Sequence, residues 1–147
     1  QLKELQALQA GSRVRIIPVP VTRKEEVASV MSEVVNRADA VYLSGSSIVG
    51  DSLSTIVDIA TKAKVVTVTH LQDHAEKGVL LGVSADPRSV GQLAGTKAVK
   101  VLKGAKPASV PIETVKKFDV IINMKTAKQG PIDVPASLLK EATKVIQ

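Results

Sequence analysis

Residues 38–52 read ADAVYLSGSSIVGDS, and this stretch decides the fold. Ala40–Leu43 is short and apolar, as a buried strand is. Ser44–Ser47 is a serine/glycine turn, and beyond Ser47 the apolar residues return at helical spacing. A strand that ends in a polar turn and opens a helix is the repeating unit of an α/β sheet. Ligands of such sheets sit in the crevice beyond the carboxyl ends of the strands. The turn presents hydroxyls and backbone N–H groups suited to a carboxylate or a phosphate. The stretch predicts a small-molecule binding lobe without specifying the solute.

The same rhythm extends both ways. Upstream, Leu2–Gln9 places Leu2, Leu5 and Leu8 on one side of a helix that Gly11 and Ser12 end. Val14–Val21 (VRIIPVPV) reads as a strand whose far end Pro18 and Pro20 demote to an edge or an exit. Thr22, with Glu25 three residues on, has the spacing of a capping box. The helix it opens runs to about Arg37 and buries Val27, Val30, Met31, Val34 and Val35. Downstream, a helix with Leu53, Ile56, Val57 and Ala60 reaches about Lys64. Strand Val65–Val68 then exits into Thr69-His70-Leu71-Gln72-Asp73-His74. A short helix over His74–Lys77, stopped by Gly78, leads to strand Val79–Ser84. Asp86-Pro87 opens the next helix, which Gly104 closes.

This alternation predicts an α/β fold, a doubly wound and mostly parallel sheet flanked by helices. Beyond residue 106 the pattern changes, because Pro107, Pro111, Gly130, Pro131 and Pro135 interrupt it. The chain thus divides into a ligand-binding lobe, 1–106, and a crossing or hinge tail, 107–147. The tail carries a strand over 119–124 and a closing helix over 137–146.

At 147 residues the chain suffices for one ordinary domain and is short for two. Tyr42 and Phe118 are the only aromatic residues, which argues against a self-contained pocket for an aromatic ligand and against base-stacking platforms. The net charge is +6, yet the lysines are spread along the chain. Lys97, Lys100, Lys103 and Lys106 read as a solvated helix face, and with no recognised motif beside them no nucleic-acid partner is expected. The absence of cysteine excludes disulfides and thiolate metal sites. No apolar run reaches membrane-spanning length.

Two strand ends, Ser44–Ser47 and Thr69–Asp73, are expected side by side on one edge of the sheet. They supply Ser44, Ser46, Ser47, Thr69, His70, Gln72 and Asp73 as a binding rim, which Asp86 joins from the next strand end. A hydrolase would need Ser46 or Ser47 as nucleophile, with His70 or His74 as base. The turn lacks the second glycine of a nucleophile elbow, so no catalytic residue is assigned and the chain is not read as an enzyme. His70, Asp73 and His74 have the residue types of a metal site, but no HExxH pattern accompanies them. No metal and no cofactor are expected.

Four segments carry a family resemblance: ADAVYLSGSSIVGDSL, ASVPIETVKKFDVIINMKTAKQGPIDVPASLLKEATKVI, GQLAGTKAVKVLKGAKP and HAEKGVLLGVSADP, the stretch from Pro111 to Ile146 being the most specific. Together they resemble the C-terminal half of substrate-binding proteins of ABC transporters, of the type that includes aromatic-amino-acid binders. The resemblance covers nearly the whole chain. It implies one lobe of a type I periplasmic-binding-protein fold, with a small solute, possibly an amino acid, clamped against a second lobe. It further implies an ABC permease as partner and a periplasmic or extracellular location, where a lipoprotein anchor is an option. Asp86 matches an aspartate common in the family, whereas Ser47-Ile48 stands where an asparagine-threonine pair is usual. His70-Leu71 stands where Ser-Asp is often found. A regulatory sensor domain built on the same lobe is the alternative.

Such proteins are about twice this length, so a first lobe and a strand before Leu2 are expected to be absent here. In the flavodoxin-like order that strand is central. The gap is expected to be filled by Asp119–Met124 or by a neighbouring molecule, through a homodimer or a domain swap.

Overall fold

Each strand of the parallel part is a short β-branched or apolar run followed by a helix, and the register shows the result. Residues 2–147 are described by a computed structural model, excepting the side chains of Leu2 and Leu8. The leucine stripe expected on the first helix, α1 (Leu2–Leu8), therefore lies outside the described residues. Helix α2 (Val27–Val34) leads to β1 (Ala40–Leu43), and the turn after it opens α3 (Ser47–Asp51) and α4 (Leu53–Lys62). Then follow β2 (Val66–Thr69), α5 (Gln72–Glu76), β3 (Leu81–Ala85) and α6 (Pro87–Leu102). The tail contributes β4 (Phe118–Asn123), α7 (Met124–Gln129), α8 (Ala136–Glu141) and β5 (Lys144–Ile146).

The five strands form one mixed sheet in the order β1-β2-β3-β4-β5. β1, β2 and β3 are parallel, β4 runs antiparallel to β3, and β5 is parallel to β4. One face is the core. Val27 and Met31 of α2 pack with Leu53, Ile56, Val57 and Ala60 of α4 against Leu43, Val65 and Val79. These positions recur every three or four residues, so each helix buries one stripe. The opposite face is left half-open, with Tyr42, Val83 and Phe118 exposed, and α6 buries none of its residues.

Helix ends follow their sequence signals in part. Asp86 caps α6, its carboxylate accepting from Arg88 N at 3.2 Å and Ser89 N at 3.0 Å, with Pro87 in the first turn. Gly78 and Gly104, at φ +122° and +100°, take left-handed backbone that other residues avoid. The capping box at Thr22 does not form. Arg23 precedes a 3₁₀ turn, Lys24–Glu26, and the Thr22 hydroxyl donates to Glu26 instead. Glu26 is held below the usual carboxylate range by its hydrogen bond from Arg23.

Three expectations are corrected. Val14–Val21 forms no strand: residues 14–20 are exposed or half-exposed, and Ile16 N bonds the Gln9 side chain. A strand exists only with a ladder partner. Val14–Val21 pairs with neither β1 nor any other strand among the described residues. The tail strand does not lie beside β1. It pairs with β3 on the far side, Gly82 opposite Ile121, and the outer edge of β1 is unpaired among the described residues. The closing helix expected over 137–146 stops at Glu141. Ala142 turns to extended backbone, Thr143 N donates to Val120 O at 2.8 Å, and residues 144–146 become β5.

Candidate functional site

Parallel strands in register bring their ends together. Leu43 stands opposite Thr69, so the Ser44–Ser47 turn and the exit at His70 emerge side by side. Ser46 caps α3, its Oγ accepting from Val49 N at 3.2 Å. Ser47 is exposed, and its hydroxyl makes no hydrogen bond among the described residues. Ser44 is half-buried just past the end of β1.

Thr69 is a tie and not a rim group. It is 1% exposed; its hydroxyl donates to Leu43 O at 3.4 Å and accepts from Leu71 N at 3.1 Å. That pair of bonds joins the ends of β1 and β2 and fixes where His70 leaves the sheet. Asp86 is likewise occupied as the α6 cap, and hydrogen bonds from the Ser89 side chain and backbone hold its carboxyl below the ordinary range. Its side chain is spent on the helix end.

His70, Gln72 and Asp73 line a cavity of about 330 Å³ between the starts of α5 and α6, together with Glu76, Ser84 and Pro87. Asp73 pairs with Lys77 at 3.5 Å, and Glu76 with Lys144 at 2.7 Å. The hydrogen bond from Gln72, then the Lys144 ammonium, hold the Glu76 carboxyl below its usual range. A second cavity, of about 350 Å³, lies between the starts of α2 and α4 and is lined by none of the rim residues.

His70 and His74 separate. Because α5 begins at Gln72, His74 turns inward, is 5% exposed, and approaches Gly50; its Nδ1 has no hydrogen-bond partner among the described residues. His70 stays on the rim. Its Nδ1 lies 2.7 Å from the Tyr42 hydroxyl, and the two rings are stacked with centroids 5.9 Å apart. Tyr42 was not singled out from the sequence, although strand alternation placed it on the face opposite Leu43. Ser84 is a second omission: it is buried, lines the His70 cavity, and its hydroxyl has no partner among the described residues.

A mostly parallel α/β sheet whose adjacent strand ends carry hydroxyls and an imidazole has the architecture of a solute-binding lobe. The comparisons make that class specific. The chain belongs to the family of ABC transporter substrate binding proteins, which it matches over residues 1–146. A tyrosine-binding protein from Clostridioides difficile (strain R20291) is 22% identical over 87% of this chain and 37% of its own length. Among solved structures, an ABC domain in complex with L-Trp from Streptococcus pneumonia is 28% identical, with a TM-score of 0.82 over 99% of this chain and 50% of that one. A conserved domain protein from Vibrio cholerae aligns with a TM-score of 0.84 at 22% identity, over 98% of this chain and 49% of that one. A ligand-free, open substrate binding protein with adhesive properties from Clostridium difficile aligns at 0.79 and 23% identity, over 100% and 49%. The chain thus spans about half the length of the solved structures it matches.

Proposed function

We propose that this chain is one lobe of a substrate-binding component of an ABC transporter, taking an amino acid with an aromatic ring at the rim of Ser44, Ser46, Ser47, His70 and Asp73. The observation that carries this reading is the juxtaposition of the serine turn with His70 at paired strand ends, beside 28% identity to an ABC domain in complex with L-Trp over half of that chain's length. The rim presents hydroxyls and an imidazole to a carboxylate, and Asp73, paired with Lys77, borders it. A permease is the downstream partner, and the work is done outside the cytoplasmic membrane. The family the chain belongs to is one of substrate binding proteins.

A lobe that supplies half of a clamp binds weakly alone. Titration of the ¹⁵N-labelled chain with L-tryptophan and L-tyrosine is expected to shift the backbone resonances of Ser44–Ser47 and His70. The Kd should be on the order of 1 mM, the range of about −4 kcal/mol. Shifts confined to other surfaces, or none at all for either amino acid, overturn the reading.

The unpaired β1 edge bears on the partners. A free strand edge offers unpaired N–H and C=O groups to another chain. We infer that copies of the 147-residue chain pair through β1, so light scattering is expected to give a mass that rises with concentration. Ala40→Lys, which puts a charge on that exposed edge, is expected to return the mass of one copy. A concentration-independent monomer for the unsubstituted chain removes this inference.

A further inference from the structure

The Tyr42–His70 pair lies at the rim, and two arrangements fit its 2.7 Å contact. In one, the phenol donates to Nδ1, so the imidazole carries its proton on Nε2 and turns a donor outward. In the other, Nδ1–H donates to the phenol oxygen, and Nε2 faces outward as an acceptor. The first recognises a carboxylate and the second an ammonium group, so the tautomer decides which end of an amino acid the ring reads.

We propose that Tyr42 is a positioning residue that locks His70 as the Nε2–H tautomer, making it the donor that receives the ligand carboxylate. This deepens the solute-binding reading and rests on it. Two points carry it. A phenol is a stronger acid than a neutral imidazole N–H, and an imidazole nitrogen is a stronger base than a phenol oxygen, so the 2.7 Å contact is the stronger hydrogen bond when the Tyr42 O–H donates to Nδ1. Stacking at 5.9 Å with an interplanar angle of 23° fixes the imidazole plane.

The glycine in the serine turn shows where Nε2 goes. A Cβ built on Gly45 would lie 3.7 Å from His70 Nε2 and 3.4 Å from Leu71 Cδ1. Nε2 therefore sits over Gly45 in the Ser44–Ser47 turn. The acidic groups that share the His70 cavity are already paired: Asp73 with Lys77, and Glu76 with Gln72 and Lys144. A donor at Nε2 is left for the solute.

Long-range ¹H–¹⁵N spectra of the imidazole rings of the whole chain, recorded well above the histidine titration range, test the lock without any ligand. The chain has two histidines, and a His70→Asn spectrum assigns them. The expected spectrum has His70 Nδ1 bare and Nε2 protonated, and Tyr42→Phe is expected to let the other tautomer appear at His70 while His74 keeps its signals. A His70 protonated on Nδ1 overturns the proposal.

The carboxylate readout is tested by comparing L-tryptophan with tryptamine, which lacks that group. Tyr42→Phe is expected to weaken L-tryptophan about two- to tenfold, the worth of one hydrogen bond, and to leave tryptamine unchanged. Gly45→Ala keeps the Tyr42–His70 pair, since its methyl makes only ordinary contacts, but it covers Nε2. It should lower L-tryptophan affinity with the tautomer unaltered. Equal losses for both ligands, or none for L-tryptophan, overturn the proposal. Absence of binding by either ligand to the unsubstituted chain instead removes the solute reading, and with it the carboxylate role, while the ligand-free spectrum still judges the lock.

Discussion

Ile121→Ala is expected to cost about 2–5 kcal/mol of unfolding free energy, the range for emptying a well-packed site of three carbons. Ile121 is 1% exposed, stands in β4 with Gly82 of β3 on one side and Lys144 of β5 on the other, and faces no water. Because a domain holds only about 5–15 kcal/mol in total, the loss is a large share of the whole. The control lies nine residues earlier. Ile112 is 97% exposed, and Ile112→Ala should stay within about 0.5 kcal/mol of the unsubstituted chain. Urea melts with an unchanged slope measure both. Equal midpoints for the two variants would mean that β4 is not an interior strand, and the five-stranded sheet would fall with it.

That prediction falls on the part of the fold the sequence shows least clearly. The three βα units are legible because each is local: strand, polar turn and helical stripe follow one another within about thirty residues. Val27, Met31 and Val34 announce the buried stripe of α2 by spacing alone, and Asp86-Pro87 announces the start of α6. The place of β4 is not local. Nothing in FDVIIN says that it runs antiparallel to β3 across an intervening helix and a long loop. Lys144–Ile146 misleads for a related reason, since Leu138, Leu139, Ala142, Val145 and Ile146 keep helical spacing past the turn at Ala142. Val14–Val21 is rich in β-branched residues yet has no partner among the described residues to make it a strand, because strand propensity reports fit to a sheet more than an intrinsic backbone preference.

The rim was half legible. Ser44, Ser46, Ser47 and His70 gather at paired strand ends because parallel register requires it once β1 and β2 are known. Thr69 and Asp86 carry the right atoms, but those atoms are consumed by the backbone beside them. Short hydroxyl and carboxylate side chains next to strand ends bond their own neighbours readily, and sequence does not distinguish that use from ligand binding. The Tyr42–His70 contact spans 28 residues and joins two strands, so only the register reveals it.

Gly82→Ala separates packing from strand propensity by the sign of its effect. On propensity alone the change should stabilise, since glycine inside a strand costs about 0.5–1 kcal/mol relative to alanine. The structure reverses that expectation. A Cβ on Gly82 would lie 2.8 Å from the Ala75 Cβ, closer than two such carbons approach, with the Ile121 Cβ at 3.6 Å on the other side. Ala75 has no exposed surface, so α5 must lift away from β3. Overpacking of this kind costs about 1–3 kcal/mol, and a lower melting midpoint is expected. Ala75→Gly removes the obstructing methyl, so the pair of substitutions should be less destabilising than their sum, with a coupling of at least about 0.5 kcal/mol. Additive losses would show that the contact is not the cause. The displacement would also be felt at the rim, because α5 carries Gln72, Asp73 and Glu76 along the cavity beside His70. Gly82→Ala should therefore weaken L-tryptophan binding as well as the fold, and Ala75→Gly in the same chain should restore part of both.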